Sequence, residues 1–129
     1  MQWIGNAKEV RREQKFSLFL PLASLTKDED FAKRLGEQTI FVQGSIDLLL
    51  TTQSGELLLI DYKTDRITRE EMQNPSLLGS RMQAAHGDQL ACYATAVRQL
   101  LGRLPDRVYI YSLPLGRAVE IPVTDFSKK

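Results

Sequence analysis

Two acidic residues and a lysine stand where two apolar runs have the pattern of β-strands. The run Leu57–Ile60 leads directly into Asp61-Tyr62-Lys63, and Asp47 belongs to the run before it. Because residues i and i+2 of a strand point to the same face, we expect Asp61 and Lys63 to lie side by side. Two carboxylates and an ammonium group so arranged suit metal-dependent phosphodiester hydrolysis. They equally suit a simple ion pair, with Lys63 bridging acids on a solvated sheet face.

A β-hairpin is the element that must position these residues. One strand is predicted over 39–52 and the other over 56–63, joined by the loop Gln53-Ser54-Gly55. A three-residue loop that ends in a left-handed glycine is a common hairpin connection. It would place Asp47 directly opposite Asp61, with Cβ atoms about 4.5–5.5 Å apart. Two carboxylates at this distance repel each other unless a cation lies between them. The pairing depends on the three-residue loop, because a two-residue loop would shift the register.

The remaining pattern predicts an α/β fold with a mixed central sheet flanked by helices. Residues 9–22 are predicted to form an edge strand or a second-tier strand, since Pro21 is tolerated there. Alternation along 39–52 places the apolar residues from Ile40 to Leu50 at even positions on one face. Capping-box spacing from Thr26 opens a charged stretch to Gly36, which is expected to be either a short exposed helix or a flexible excursion. Two further strands are expected at 107–113 and 117–123.

A helix is predicted over 81–101, with Gly102 as its C-cap. The preceding segment, 68–81, is polar and irregular, and Asn74-Pro75 indicates a break. One face of the helix is expected to carry Leu90, Tyr93, Ala94, Val97, Leu100 and Leu101.

Composition restricts the possible classes of protein. The 129 residues are 43% hydrophobic and 26% charged, which fits one ordinary globular domain. A net charge of +1 argues against a uniformly basic nucleic-acid surface but allows a local basic groove. A single cysteine, Cys92, excludes a disulfide, a cysteine zinc site or an iron–sulfur cluster built from this chain alone. No apolar run approaches the roughly 20 residues of a membrane span, so a cytoplasmic location is expected.

Four motifs in order resemble those of the PD-(D/E)XK nuclease superfamily, and within it the RecB-like branch. They are Arg12-Glu13-Gln14-Lys15-Phe16, Gln43-Gly44-Ser45-Ile46-Asp47, Leu59-Ile60-Asp61-Tyr62-Lys63-Thr64-Asp65 and Gln89-Leu90-Ala91-Cys92-Tyr93. Together they are most similar to the C-terminal nuclease domain of AddA-type (RexA) helicase–nuclease subunits. The resemblance implies a restriction-endonuclease-like fold that lacks the first core helix of the family.

The resemblance also implies roles for single residues. Asp47 and Asp61 would bind the metal, Mg²⁺ or Mn²⁺, and the backbone carbonyl of Tyr62 is a further candidate ligand. Lys63 would be the catalytic lysine. Gln89 and Tyr93 match a helical motif that faces the site and the DNA, although Tyr93 is equally suited to the core.

Glu13 and Gly44 are two further residues of these motifs. Glu13 would either brace the sheet, which we favour, or contact the metal. Gly44 indicates a bulge or a close backbone approach. His86 does not match the histidine of the family's first helix, and its position is more typical of a surface residue.

The expected activity is that of a Mg²⁺-dependent DNA exonuclease module in double-strand-break repair. Residues 1–129 would form a single nuclease domain of a longer helicase–nuclease. The chain has no P-loop, so ATP would be used only by a helicase domain outside it. Expected partners are single-stranded DNA, those helicase domains and an AddB/RexB-type subunit, without a membrane. The alternatives are a catalytically inactive DNA-binding module and a stand-alone phage-type exonuclease.

Overall fold

A mixed sheet with strand order β1-β2-β3-β4-β5 organises the described part of the chain. A computed structural model describes residues 5–25 and 28–122. The pair β3–β4 is parallel and the other neighbouring pairs are antiparallel. The elements in chain order are β1 (Ala7–Pro21), a 3₁₀ turn (Leu22–Leu25), α1 (Glu29–Leu35), β2 (Thr39–Thr52), β3 (Leu57–Lys63), α2 (Arg69–Gln73), α3 (Pro75–Leu101), β4 (Arg107–Ser112) and β5 (Arg117–Glu120).

The predicted hairpin register is confirmed. Strands β2 and β3 pair from Thr51 with Leu57 to Leu48 with Ile60. The N–H of Thr52 donates to the Glu56 carbonyl at 2.8 Å, and Gly55 has a positive φ of 92°. The turn is therefore the predicted three-residue loop. Continuing the register by one position beyond the last pair places Asp47 opposite Asp61.

The prediction that all even-numbered apolar residues of β2 share one face is wrong. Ile46 packs in the cluster that faces α3, whereas Leu48 and Leu50 belong to a second cluster on the opposite side of the sheet. The change occurs where Glu13 of β1 lies opposite Asp47, between two regularly paired positions. Glu13 has a φ of 49°, and this left-handed residue interrupts the period-2 alternation of the paired strands.

The sheet is buried on both faces. The face toward α3 carries Leu57, Leu59, Val108 and Ile110, packed with Leu78, Met82, Leu90 and Val97 of that helix. The other face carries Leu48, Leu50, Leu58 and Ile60 together with Tyr62, Tyr109 and Tyr111. Strand β3 has a continuous apolar run because it lies in the centre of the sheet.

Helix α3 is longer than predicted. It begins at Pro75, with the Asn74 side chain accepting a hydrogen bond from the Leu77 N–H, and runs for 27 residues. Asn74-Pro75 is thus an N-cap followed by a first-turn proline rather than a break within irregular chain. A short helix, α2, precedes it and begins with a complete capping box at Thr68. The C-cap prediction for Gly102 is confirmed, but Leu100 is 47% exposed rather than buried.

The outer elements agree with the predicted fold class, α/β with a mixed sheet. Strand β1 is an edge strand that ends at Pro21. Asp28 caps α1, while the predicted capping residue, Thr26, lies outside the described residues. The prediction that the family's first core helix is missing concerns the chain before Gly5, and this part also lies outside the described residues. None of the described helices is long and apolar enough to cross a membrane.

Candidate active site

Asp61 and Lys63 lie side by side near the carboxyl end of β3, as their spacing predicted. The Lys63 Nζ atom is 2.8 Å from Asp61 Oδ2. Asp61 is 4% exposed, and the Lys63 side chain is 20% exposed. The ammonium group therefore reaches the surface, while the carboxylate that it contacts is buried.

Asp47 completes a pair of carboxyl groups with Asp61. Asp47 lies at the point where β2 changes its buried face, and its Oδ2 atom accepts a hydrogen bond from the Tyr62 N–H at 2.9 Å. This bond ties the end of β3 to β2 beyond the last regular pair. Burial, followed by the neighbouring Asp47 carboxyl group, raises the pKa of Asp61 to about 6, although Lys63 acts in the opposite direction.

Helix α3 contributes two polar side chains to the same place. Gln89 Oε1 accepts a hydrogen bond from Lys63 Nζ at 2.9 Å. Gln89 Nε2 in turn donates to the Tyr93 hydroxyl at 3.2 Å. The two residues are one helical turn apart, so both face the end of β3. Burial and then the negative charges of Asp61 and Asp47 raise the pKa of Tyr93.

Gly44 and Glu13 lie beside this group rather than within it. Gly44 pairs with Phe16 across β1 and β2, and a Cβ atom on Gly44 would lie 2.7 Å from the Phe16 ring. The group that lies close to the Gly44 backbone is therefore the aromatic ring of Phe16, whereas the prediction was a bulge or a close approach of backbone. Glu13 lies opposite Asp47 in the strand register and is exposed, with its strained backbone as its distinguishing feature.

A second polar cluster follows Lys63, and the sequence patterns alone did not reveal it. His86 Nε2 lies 2.9 Å from Asp65 Oδ2, and Arg81 pairs with Asp65 and with buried Glu71. The hydrogen bond from His86 holds the pKa of Asp65 below its ordinary value. His86 precedes Gln89 by three residues, and this helical spacing was the signal that could have placed it near the site. The cluster fixes the chain after Lys63 onto α3.

Nearly the whole chain lies within a recognisable sequence family. Residues 3–122 match the family model of the PD-(D/E)XK nuclease superfamily. The chain belongs to this superfamily.

Several curated relatives are AddA-type subunits of an ATP-dependent helicase/nuclease. The chain is 34% identical over 121 residues to the one from Levilactobacillus brevis, covering 94% of this chain and 9% of that protein. The relative from Desulforamulus reducens is 35% identical over 121 residues, which cover 93% of this chain and 9% of that protein. The relative from Listeria welshimeri is 31% identical over 108 residues, which cover 84% of this chain and 8% of that protein. The chain spans less than a tenth of the length of these relatives.

PD-(D/E)XK nucleases generally use divalent metal ions, and the carboxyl pair fits such an ion. Asp61 Oδ2 is buried and, among the described residues, has no well-oriented hydrogen bond beyond its contact with Lys63. Mg²⁺ typically binds one or two carboxylates and keeps several waters. A cluster of three or more His, Cys, Asp or Glu residues is not found in the described ranges, and the carboxyl groups that these ranges bring together are those of Asp47 and Asp61. The carbonyl of Tyr62 remains a predicted additional ligand.

Proposed function

We propose that this chain is a Mg²⁺-dependent DNA nuclease module that hydrolyses phosphodiester bonds. The observation that carries the proposal is the approach of two carboxyl groups, Asp47 and Asp61, with Lys63 2.8 Å from the buried one. Outside a metal site, such a pair would place like charges together at a cost to stability. A bound divalent cation would offset that repulsion, lower the pKa of its water and polarise the scissile phosphate.

The side chains of this site then have distinct roles. Asp47 and Asp61 hold the cation, with the carbonyl of Tyr62 as a third ligand. The Lys63 ammonium, partly exposed beside Asp61, donates hydrogen bonds to the phosphate oxygens as negative charge develops on them. Gln89 accepts from Lys63 and so holds the ammonium on the side of the bound strand. Tyr93 supports Gln89 from the helix.

The relatives suggest the wider setting for this activity. Their name supports a module of an AddA-type helicase–nuclease, in which ATP is used by helicase domains elsewhere and single strands reach the nuclease site. In that setting the module acts as an exonuclease in double-strand-break repair, in the cytoplasm, beside an AddB/RexB-type subunit. Single-stranded DNA is accordingly the substrate to test first.

The test compares the wild-type chain with Asp61→Ala and Lys63→Ala on labelled single-stranded DNA with Mg²⁺. We expect each substitution to lower the rate at least about a hundredfold, because Asp61→Ala removes a proposed metal ligand and Lys63→Ala removes the charge that faces the reacting phosphate. Asp28→Ala and Lys33→Ala, which change the same residue types at helix α1, serve as matched controls and should cut normally.

Calorimetric titration with Mg²⁺ separates metal binding from cleavage. The wild type and Lys63→Ala should bind the ion, whereas Asp61→Ala should not. DNA binding with no Mg²⁺-dependent cleavage by the wild type would instead identify a catalytically inactive DNA-binding module. Equal cleavage by the wild type and both site variants would overturn the assignment of these residues.

A further inference from the structure

Phe16 occupies a place that exists only because residue 44 is a glycine. The Phe16 ring is 7% exposed and lies across Gly44 in the β1–β2 pair. A Cβ atom on Gly44 would lie 2.7 Å from the ring Cζ and 2.9 Å from Cε1, which is closer than packed carbons approach. Gly44 does not have a positive φ, so the space for the ring is what the glycine provides.

The ring packs against Tyr93 on α3. The Phe16 and Tyr93 ring centroids are 5.4 Å apart with an interplanar angle of 73°, an edge-to-face contact. Such pairs prefer a defined geometry beyond simple burial. Tyr93 is partly buried against the core cluster that contains Phe16, and this ring contact holds the side of Tyr93 that faces β1.

The Tyr93 hydroxyl in turn determines how Gln89 presents its amide. The hydroxyl accepts from Gln89 Nε2 at 3.2 Å, which leaves Oε1 to accept from Lys63 Nζ at 2.9 Å. With the amide reversed, its NH₂ group would face the ammonium, and two donors would meet. Since Gln89 is exposed, its own packing does not set this orientation.

We propose that Phe16, in the space left by Gly44, is a positioning residue for Lys63 and acts through Tyr93 and Gln89. The catalytic consequence rests on the proposed nuclease function, but the effect on the Lys63 side chain does not. Phe16 touches neither Lys63 nor the carboxylates in the described contacts, so its influence passes through the two helix side chains.

Two substitutions perturb this contact from opposite sides. Phe16→Leu removes the ring edge that meets Tyr93, and Gly44→Ala displaces the ring. Both should lower kcat for single-stranded DNA about tenfold, because small displacements of a catalytic group cost one to two orders of magnitude. KM should change by less than about twofold. Leu18→Ala, on the same face of β1 and also buried, is the matched control for destabilisation and should leave kcat unchanged.

The second readout is the Lys63 ammonium itself, observed by ¹⁵N NMR of the metal-free, DNA-free protein. Faster exchange of its ammonium protons with water is expected in Phe16→Leu and Gly44→Ala but not in Leu18→Ala. In a Tyr93→Phe background, Phe16→Leu should cause no further change, because the link to Gln89 is already broken. If one of the two variants does not fold, the other still tests the contact.

The proposal is overturned if the Lys63 signal is unaffected in Phe16→Leu and Gly44→Ala, or if Leu18→Ala changes it equally. It is also overturned if Phe16→Leu adds a full further effect in the Tyr93→Phe background. If the wild type cuts no DNA while the Lys63 signal responds as expected, the proposed function fails and the positioning role stands.

Discussion

Asp61→Asn should make the metal-free protein more stable at neutral pH while abolishing its response to Mg²⁺. In the folded protein the pKa of Asp61 rises from its ordinary value of 3.8 to about 6, chiefly through burial. The folded state therefore holds this proton more tightly than the unfolded state does. The resulting penalty is absent below about pH 4, grows between pH 4 and 6, and is fully present above pH 6.

The size of the penalty follows from the shift. One pKa unit corresponds to about 1.4 kcal/mol, so the ionised carboxylate costs the fold up to about 3 kcal/mol. Asparagine has the same shape without the charge, but it gives up the ion pair with Lys63. We therefore expect the free energy of unfolding of Asp61→Asn to exceed that of the wild type by about 1–3 kcal/mol at pH 7.5. At pH 4 the two should be nearly equal.

Urea unfolding in EDTA across pH 4–8 measures this difference, and Asp65→Asn is the matched control. The pKa of Asp65 is lowered, chiefly by His86, so its ionised form stabilises the fold. The same substitution four residues further on should therefore lower stability at neutral pH. Adding Mg²⁺ at a hundred times its Kd should raise wild-type stability by about 2.7 kcal/mol and leave Asp61→Asn unchanged. An Asp61→Asn variant less stable than the wild type at every pH would refute the reasoning.

Three further predictions concern the elements around the site, all measured by urea unfolding. Glu13→Gly should leave stability unchanged or raise it by up to about 1 kcal/mol, because glycine adopts the φ of 49° without strain, whereas Arg11→Gly in the same strand should cost about 1 kcal/mol. Equal losses would remove the argument for strain. Thr68→Ala should cost about 1 kcal/mol by removing the α2 capping box, and Thr68→Ser, which keeps the hydroxyl, should cost clearly less. Arg81→Met should destabilise the protein at pH 7, because buried Glu71 loses its partner. The pKa of Glu71 is lowered, first by the Thr68 N–H and then by Arg81, so this loss should shrink as the pH falls below 4.5; a loss independent of pH would exclude the ion pair as its cause.

The hairpin was predictable because two independent signals agree there. The loop Gln53-Ser54-Gly55 fixed the register, and the apolar run of β3 fixed the strand. Once the turn is known, the paired residues are found by counting outward from it along both strands, so the sequence predicted that Asp47 lies opposite Asp61. The family resemblance then assigned Gln89 and Tyr93, which lie 26 or more residues after Lys63, to the same place.

The point at which β2 changes its buried face, between Ile46 and Leu48, could not be predicted by counting residues from the turn. It coincides with one residue of β1, Glu13, in a conformation that glutamate rarely adopts and that no turn signal marks. The start of α3 differs from the prediction for another reason. Asn74-Pro75 is typical of both a break and a helix start, and Thr68 caps a further short helix just before it. The Asp65–His86 contact required knowing where the chain runs after Lys63, because His86 already lay within the predicted helix.

These differences bear on how the site is built. Had β2 kept a single alternation, Ile46 and Leu48, which flank Asp47, would have packed on the same face of the sheet. The β2–β3 ladder ends at Leu48, one position before Asp47, and the Asp47 carboxylate accepts the Tyr62 N–H there. That bond replaces a ladder hydrogen bond with a carboxylate contact, which brings a second acid to the buried Asp61. The left-handed Glu13 lies opposite Asp47 in the edge strand, so the backbone strain and the meeting of the two acids fall at the same level of the sheet. Strained backbone is often found at functional sites.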